Sequence, residues 1–421
     1  MRSRLQLWPA LLLLAFCGPP DEQALCIQGQ FIDPSTARIQ AAGMLVHQGK
    51  VQSIAPSCDQ VGENVRVLDL SNRFILPGLI NSHAHVGSTN GVEYRPEFYT
   101  EHNLRRQLAL YARFGITTVM SMGDDQMPGF ELRDRQIAEG TSVSRLMVAG
   151  PVAAPISPDH ARRLTRRIAA RRPDFFKIRV DDYFGRRPKA SWKITEAMIE
   201  EAARLGLPVA AHVFYLEDAK RLAKLGVAVL TRSIRDQEVD EEFIRLAKQN
   251  DICVIPALSR EWAEVEYAGE AKFLDDPLLQ SARSASMLEA FRSQRWLQRY
   301  RESPWKESYR ASLQVAGRNA RILAEQGVRL AMGSDSGLPG RFEGYFELLE
   351  MELMQDAGLA PQQILEAATA AAASCLRQEQ RVGRLAPGLA ADFVVLKANP
   401  LKDIRRLRQI ESVWIAGSRV R

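Results

Sequence analysis

Two histidines separated by one residue, His83 and His85, close the stretch ILPGLINSHAHV over residues 75–86. The stretch reads as a strand reached through a Pro-Gly turn, and on a strand residues two apart face the same way. Both imidazoles therefore project together, with Asn81 beneath them. Neutral imidazoles converging from one rigid element suit a divalent cation such as zinc. Taken alone, the pair is equally explained by two partly exposed histidines at a strand end. Further along, Lys177 in FFKIRV, His212 in PVAAHVF and Asp335 in MGSDSG each lie near the end of an apolar run. Each also has a plain structural reading: Lys177 reaching solvent or pairing with Asp181, His212 as a hydrogen-bonded core histidine, Asp335 as a cap or turn residue. Near a dication an ammonium is repelled. Lys177 becomes a ligand only after losing its proton or reacting with carbon dioxide to give an anionic carbamate. The joint placement of all five at strand ends is what the separate structural readings explain poorly.

Those strand ends have to be held by something. From residue 75 onward apolar strand-like runs alternate with helix-period segments. The strand candidates are 75–86, 116–123, 145–150, 175–180, 208–214, 228–233, 252–258 and 328–335. Segments such as ITEAMIEEAARLG and LEDAKRLAKLG lie between most of them, with apolar residues at helical spacing and Gly at the stop. Eight such β/α units predict an α/β fold, a parallel (β/α)8 TIM barrel over 75–385, with its active site at the C-terminal ends of the strands. Residues 24–74 and 386–421 have strand-and-turn texture and predict a small β-sandwich built from both termini, with a hairpin turn at Gly49-Lys50. The seventh connection, 259–327, is long and rich in aromatic residues. It is either a specificity wall over the site or a helical hairpin packed outside the barrel.

With 421 residues, 46% hydrophobic and 25% charged, the chain has material for a large core. A formal charge of +6 is small for this length. The arginines are dispersed without interleaved aromatics, which disfavours a nucleic-acid partner. Residues 1 to about 20 read as an export signal, with Arg2 and Arg4 before the apolar run Leu5–Phe16, too short to span a bilayer. The end of that run is similar to a lipobox, so Cys17 is a candidate lipid anchor and the one route to a membrane; Ala24 is an alternative cleavage position. The expected location is periplasmic or lipid-anchored in a bacterial envelope. In that oxidising setting Cys26 and Cys58 could pair, whereas Cys253 and Cys375 read as ordinary buried thiols.

The motifs together resemble the metal-dependent amidohydrolase superfamily, in its imidazolonepropionase-like and Xaa-Pro dipeptidase-like branch. ILPGLINSHAHV, GITTVMSMGD, FFKIRVDD and MGSDSG are similar to its strand 1, 2, 4 and 8 signatures, and VGRLAPGLAADFVVLKANPLKDI to its closing segment. The resemblance implies one or two divalent metals. His83, His85 and Asp335 would hold the first; a carboxylated Lys177 would bridge to a second held with His212 and a histidine on strand 6. Asp335 would also take a proton from the attacking water and pass it to the leaving nitrogen. The chain departs from the pattern at strand 6, which reads Val229-Leu230-Thr231-Arg232-Ser233, and no histidine follows His212. Arg232, placed at the vacant position by strand alternation, cannot ligate a metal, since a guanidinium offers only donors. It could instead pair with Asp335, a carbamate or a substrate carboxylate. Tyr215 is a weaker substrate contact. The expected function is hydrolysis of a C–N bond in a small peptide or cyclic amide, with one metal or two. The competing expectation is a binding protein that kept the fold and lost the activity. Substrate and oligomeric state are not set by the sequence.

Overall fold

The computed structural model describes residues 24–421 except 60 and 63, so the export signal and Cys17 lie outside the described residues. The chain begins with β1 (Leu25–Asp33), β2 (Arg38–His47), β3 (Lys50–Ala55) and β4 (Arg66–Pro77). Gln48 and Gly49 form the two-residue turn between β2 and β3 with φ of 48° and 72°, the positive values that a hairpin turn matched to strand twist demands. Beyond Pro77-Gly78 the chain passes into β5 (Leu79–Ala84). A Cβ on Gly78 would lie 2.2 Å from the Thr117 hydroxyl, so only glycine lets the two segments approach here.

The alternation expected from the sequence follows. It runs α1 (Glu101–Arg113), β6 (Ile116–Ser121), α2 (Met127–Glu139), β7 (Arg145–Val148), α3 (Pro158–Ala169), β8 (Phe176–Val180) and α4 (Trp192–Arg204). Then come β9 (Val209–Val213), α5 (Leu216–Lys224), β10 (Val229–Thr231), α6 (Glu241–Gln249) and β11 (Cys253–Ile255). Strands β5–β6–β7 and β8–β9–β10–β11 pair in parallel. Two backbone hydrogen bonds, Asp174 N to Val148 O and Ala153 N to Lys177 O, link the two sets on one side. On the other side the expected eighth strand, 328–335, forms no regular ladder. It contributes isolated parallel bridges, Leu330 with Val254 and Ser336 with Ala84, and hydrogen bonds such as Ser82 N to Met332 O. Its regular conformation is broken at Asp335, whose φ is 56°.

Side chains divide by strand parity, as the two-residue period requires. Ile80, Met120, Met147, Ala210, Val229, Cys253 and Ile255 form one inner cluster. Their neighbours Leu79, Val119, Leu146, Ala211, Leu230 and Val254 belong to the larger core that meets the helices. Each helix offers one apolar stripe; α5, for example, buries Leu216, Ala219, Leu222 and Ala223. Side-chain caps fix several helix starts: Thr100 accepts from Asn103 N, Ser157 from His160 N and Asp240 from Phe243 N. His102 and His160 thus lie in the first turns of α1 and α3, away from the strand ends.

The seventh connection is helical: α7 (Leu258–Ala268), α8 (Pro277–Ala282), α9 (Ala285–Arg292), α10 (Gln294–Arg301) and α11 (Lys306–Glu325). Its aromatics make a satellite core in which Tyr267 meets Phe273, Trp296 and Tyr300 at ring separations of 5.3, 5.7 and 5.0 Å. After 328–336 come α12 (Tyr345–Asp356), α13 (Pro361–Ala367) and α14 (Ala370–Cys375), then β12 (Phe393–Leu396), β13 (Ile410–Ile415) and β14 (Ser418–Arg419). These last strands join the first four in one mixed seven-stranded sheet, ordered β14-β13-β12-β4-β1-β2-β3. Residues 388–391 reach the β2–β3 hairpin through Gly388 N to Val51 O and Ala391 N to Gly49 O. Among the described residues, no helix is long and apolar enough to cross a membrane.

Both cysteine pairs are disulfides. Cys26–Cys58 was open to pairing from the sequence. Cys253–Cys375 corrects the expectation of two separate thiols. The Ala-rich run into Cys375, with Ala372 and Ala373, packs on the inner cluster that contains Cys253, and its small side chains let the Cα atoms approach to 5.7 Å.

Candidate active site

His83 and His85 leave the end of β5 on the inward face, and Asp335 comes up beside them from the segment that takes the eighth strand's place. Asp335 N donates to His83 O at 2.8 Å, so the two chain segments are locked together at the site. One ligand atom from each of the three side chains lies within 4.8 Å of the others. Asp335 Oδ1 is 3.0 Å from His85 Nε2 and 3.5 Å from His83 Nε2. Neither contact is aligned as a hydrogen bond: Oδ1, and Nδ1 of both rings, are buried without a hydrogen-bond partner. Burial and the neighbouring Lys177 ammonium keep His83 neutral, well below its ordinary pKa. Lone pairs of two imidazoles and a carboxylate thus converge on one volume. That donor set fits a single divalent cation with further positions open.

The other predicted ligands do not complete a second set. Lys177 Nζ donates to Thr231 Oγ1 at 2.9 Å and lies 3.4 Å from His83 Nε2. It makes no pair with Asp181. Burial, with Arg232 and Arg179 nearby, brings its amine down to about 7, within reach of the neutral form. His212 Nε2 faces Asp181 Oδ2 at 3.0 Å without an aligned hydrogen bond. Burial and the charge of Arg232 hold that ring neutral. Arg232 occupies the ground between: its Nη2 donates to Asp335 Oδ2 at 2.5 Å. The residues present do not fit a second dication.

Arg232 arrives there by a route the sequence did not reveal. Val229 belongs to the inner cluster and Leu230 to the outer core, so regular alternation would place Thr231 inward and Arg232 outward. Arg232 takes φ of 66° just past the end of β10, which leaves the alternation and turns its side chain to Asp335. Tyr215 donates from its hydroxyl to Asp182 Oδ1 at 2.9 Å and sits under Lys189 at 4.5 Å; it is part of the loop structure flanking the site.

Several contributors had no motif to announce them. Arg341 donates to Asp335 Oδ2 at 2.6 Å, alongside Arg232. Although burial opposes ionisation, these two guanidiniums hold the Asp335 carboxyl well below the usual carboxylate range. Arg235 lies 3.0 Å from Glu261 and 3.6 Å from Asp181, and Arg260 meets Glu261 at 2.7 Å. Beneath the histidines, Glu347 accepts from Asn81 Nδ2 (2.6 Å), Ser334 Oγ (2.5 Å), Ser336 Oγ (2.5 Å) and Gly344 N (2.6 Å). Asn81 Oδ1 in turn accepts from His83 N at 3.0 Å. Glu347 and Glu350 lie fully buried on α12, a helix whose apolar residues are buried nearly all round. Carboxylates three apart in such an apolar run were the available signal for this support.

A cleft of about 830 Å³ reaches the site through Arg341 and is lined in part by Tyr94, Glu264, Trp296, Arg299 and Tyr300. Arg341 connects its floor to Asp335. The seventh connection is therefore a wall of the cleft.

The family model described as the amidohydrolase family matches residues 74–420. A Xaa-Pro dipeptidase crystallised with bound methionine in its active site superposes with a TM-score of 0.74 at 20% identity, covering 94% of this chain and 99% of that one. A putative prolidase from Bifidobacterium longum superposes at 0.76 with 23% identity, over 95% of each chain. At such identity these likenesses speak for the fold. A dihydroorotase from Syntrophus aciditrophicus (strain SB) is 36% identical over 67 residues, only 16% of either chain. With the family model extending over most of its length, from the end of β4 through the last strands, the chain belongs to the amidohydrolase family.

Proposed function

We propose that the protein is a metal-dependent hydrolase of C–N bonds, working with one divalent cation, with a peptide-like or cyclic amide as substrate. The observation that carries this reading is that ligand atoms of His83, His85 and Asp335 lie within 4.8 Å of one another, around an Asp335 Oδ1 that has no hydrogen-bond partner. A dication held there would supply Lewis acidity, lowering the pKa of a coordinated water and polarising the scissile carbonyl. The chain's own residues account for the rest. Asp335 would take up the proton, with Oδ1 free of hydrogen bonds while Arg232 and Arg341 hold Oδ2. The likeness to a Xaa-Pro dipeptidase and a putative prolidase favours a peptide bond as the bond cleaved. Two disulfides, together with the export signal read from the sequence, favour an oxidising compartment outside the cytoplasm.

One observation favours a second reading, a binding protein without turnover. A carboxylate bound by two guanidiniums is a weak base, which handicaps Asp335 as a proton acceptor. Metal content per chain, measured by mass spectrometry on protein purified without chelator, separates the two. Near-unit zinc or manganese, removed by chelation together with amide hydrolysis, is the expected result. The Arg232→His variant should rise toward two metals, because it restores an acceptor and removes a cation. No metal in either protein, even after metal is supplied, would sink the hydrolase reading.

A further inference from the structure

Four guanidiniums around the site share three buried carboxylates. Asp335 is divided between Arg232 and Arg341, Glu261 between Arg235 and Arg260, and Asp181 faces both Arg235 and His212. Glu264 at the rim, 3.3 Å from Arg260, adds one partly exposed negative charge. A dication among His83, His85 and Asp335 would add two positive charges to a group in which the guanidiniums already outnumber these carboxylates. Buried charge without a partner is costly enough that proteins avoid it or bind a counter-ion.

The shortage is sharpest at Arg232. It is 8% exposed, and its Nε and Nη1 have no hydrogen-bond partner. Only Nη2 is used, on Asp335 Oδ2. Arg341 lines the cleft and meets Arg232 at their shared acceptor, Asp335 Oδ2. Tyr300 and Trp296 on the seventh connection line the same cleft as Arg341. A guanidinium with free donors beside a reacting centre is suited to a carboxylate, which can accept several charge-assisted hydrogen bonds at once.

We propose that Arg232, supported by Arg341, is the anchor for a carboxylate on the substrate, so that the site takes N-acyl amino acids or peptides with a free carboxylate close to the scissile bond. The proposal rests on the hydrolase reading for the identity of the ligand as substrate, but its test reads binding. In family members with a histidine on strand 6 that position serves a metal; here the exchange to Arg232 converts it into a specificity element.

The test is calorimetric titration of the protein, purified without chelator, with N-acetyl-L-alanine and with its uncharged methylamide. Wild type should bind the carboxylate roughly 10- to 100-fold more tightly. Arg232→Gln should lose that preference, read as the ratio of the two affinities within the variant. Thermal unfolding of each variant reports whether it folds; should Arg232→Gln fail, a reduced preference in Arg232→Lys carries the comparison. Equal wild-type affinity for the two probes, or a preference that survives in Arg232→Gln, overturns the assignment. So does a carbon dioxide adduct on Lys177 accompanied by no carboxylate preference, because the missing negative charge then sits on the lysine. The result is separable from the hydrolase reading. Carboxylate preference without turnover of any amide keeps the anion site and removes the enzyme. Turnover with equal kcat/KM for charged and uncharged amides does the reverse.

Discussion

Asp335 is pulled from two sides, by the histidines at Oδ1 and by the arginines at Oδ2. Removing its charge leaves Arg232 buried beside nothing. Asp335→Asn should therefore destabilise the protein by roughly 3–5 kcal/mol, read by urea denaturation, in addition to abolishing metal binding. Asp125 offers a cleaner titration. Its Oδ2 accepts from the backbone of Ala149 and Gly150 at 2.9 and 3.0 Å and its Oδ1 from Tyr99 at 3.1 Å, and burial pushes its carboxyl up to about 8. The folded state then binds a proton that the unfolded chain releases near pH 4. This residue's contribution to stability is full below that pH, falls as pH rises, and levels off above about 8. Asp125→Asn keeps an oxygen for the two amides and cannot ionise, so its stability, followed by denaturation between pH 5 and 8, should fall less steeply than that of wild type. His83, His85, Lys177, His212 and Asp335 were legible as residues because strand ends have a recognisable local texture. Arg341, Asp181 and Glu261 were not, because their partners are defined by where loops return and not by spacing along the chain.

At the scale of elements, the seven strands β5–β11 could be read from the sequence, since each keeps an apolar run of one period. The eighth could not be read correctly. Its apolar run is present, but the left-handed residue at Asp335 turns the chain out of the ladder to bring the carboxylate to the histidines. Arg232 breaks its strand in the same way, which is why alternation named the right residue for the wrong reason. Holding the irregular end at Asp335 in place is the task of α12, through Glu347. Truncating that side chain leaves Asn81, Ser334 and Ser336 without their shared acceptor in a buried layer. Glu347→Ala should cost about 2–4 kcal/mol by chemical denaturation. It should also weaken metal binding measured by competition with a chelator, since Asn81 no longer fixes the backbone amide of His83.

For the whole molecule, the Cys253–Cys375 bridge ties an inner barrel strand to the helix before the terminal sheet, closing a sequence separation of 122 residues. Cys253→Ala with Cys375→Ala should lose about 2–5 kcal/mol, visible as a lower urea midpoint, and wild type should shift toward the variant under reducing conditions. That bridge escaped the sequence because pairing is set by helix docking, which no local pattern encodes. The division into barrel and terminal module was legible, since it rests on a change of period along the chain.

The sheet order has a consequence for how the protein is made. β4 takes its outer partner from β12, with Pro77 opposite Phe393, and β12 follows the whole barrel in the chain. Until the ribosome has completed the barrel, the edge of β4 stays without its neighbour, a row of open backbone donors and acceptors of the kind that recruits other chains. A strand made before the barrel must wait for one made after it. Loss of residues 386–421 should therefore be felt at the opposite terminus, as aggregation through β4 and not as a barrel that merely lacks an appendage.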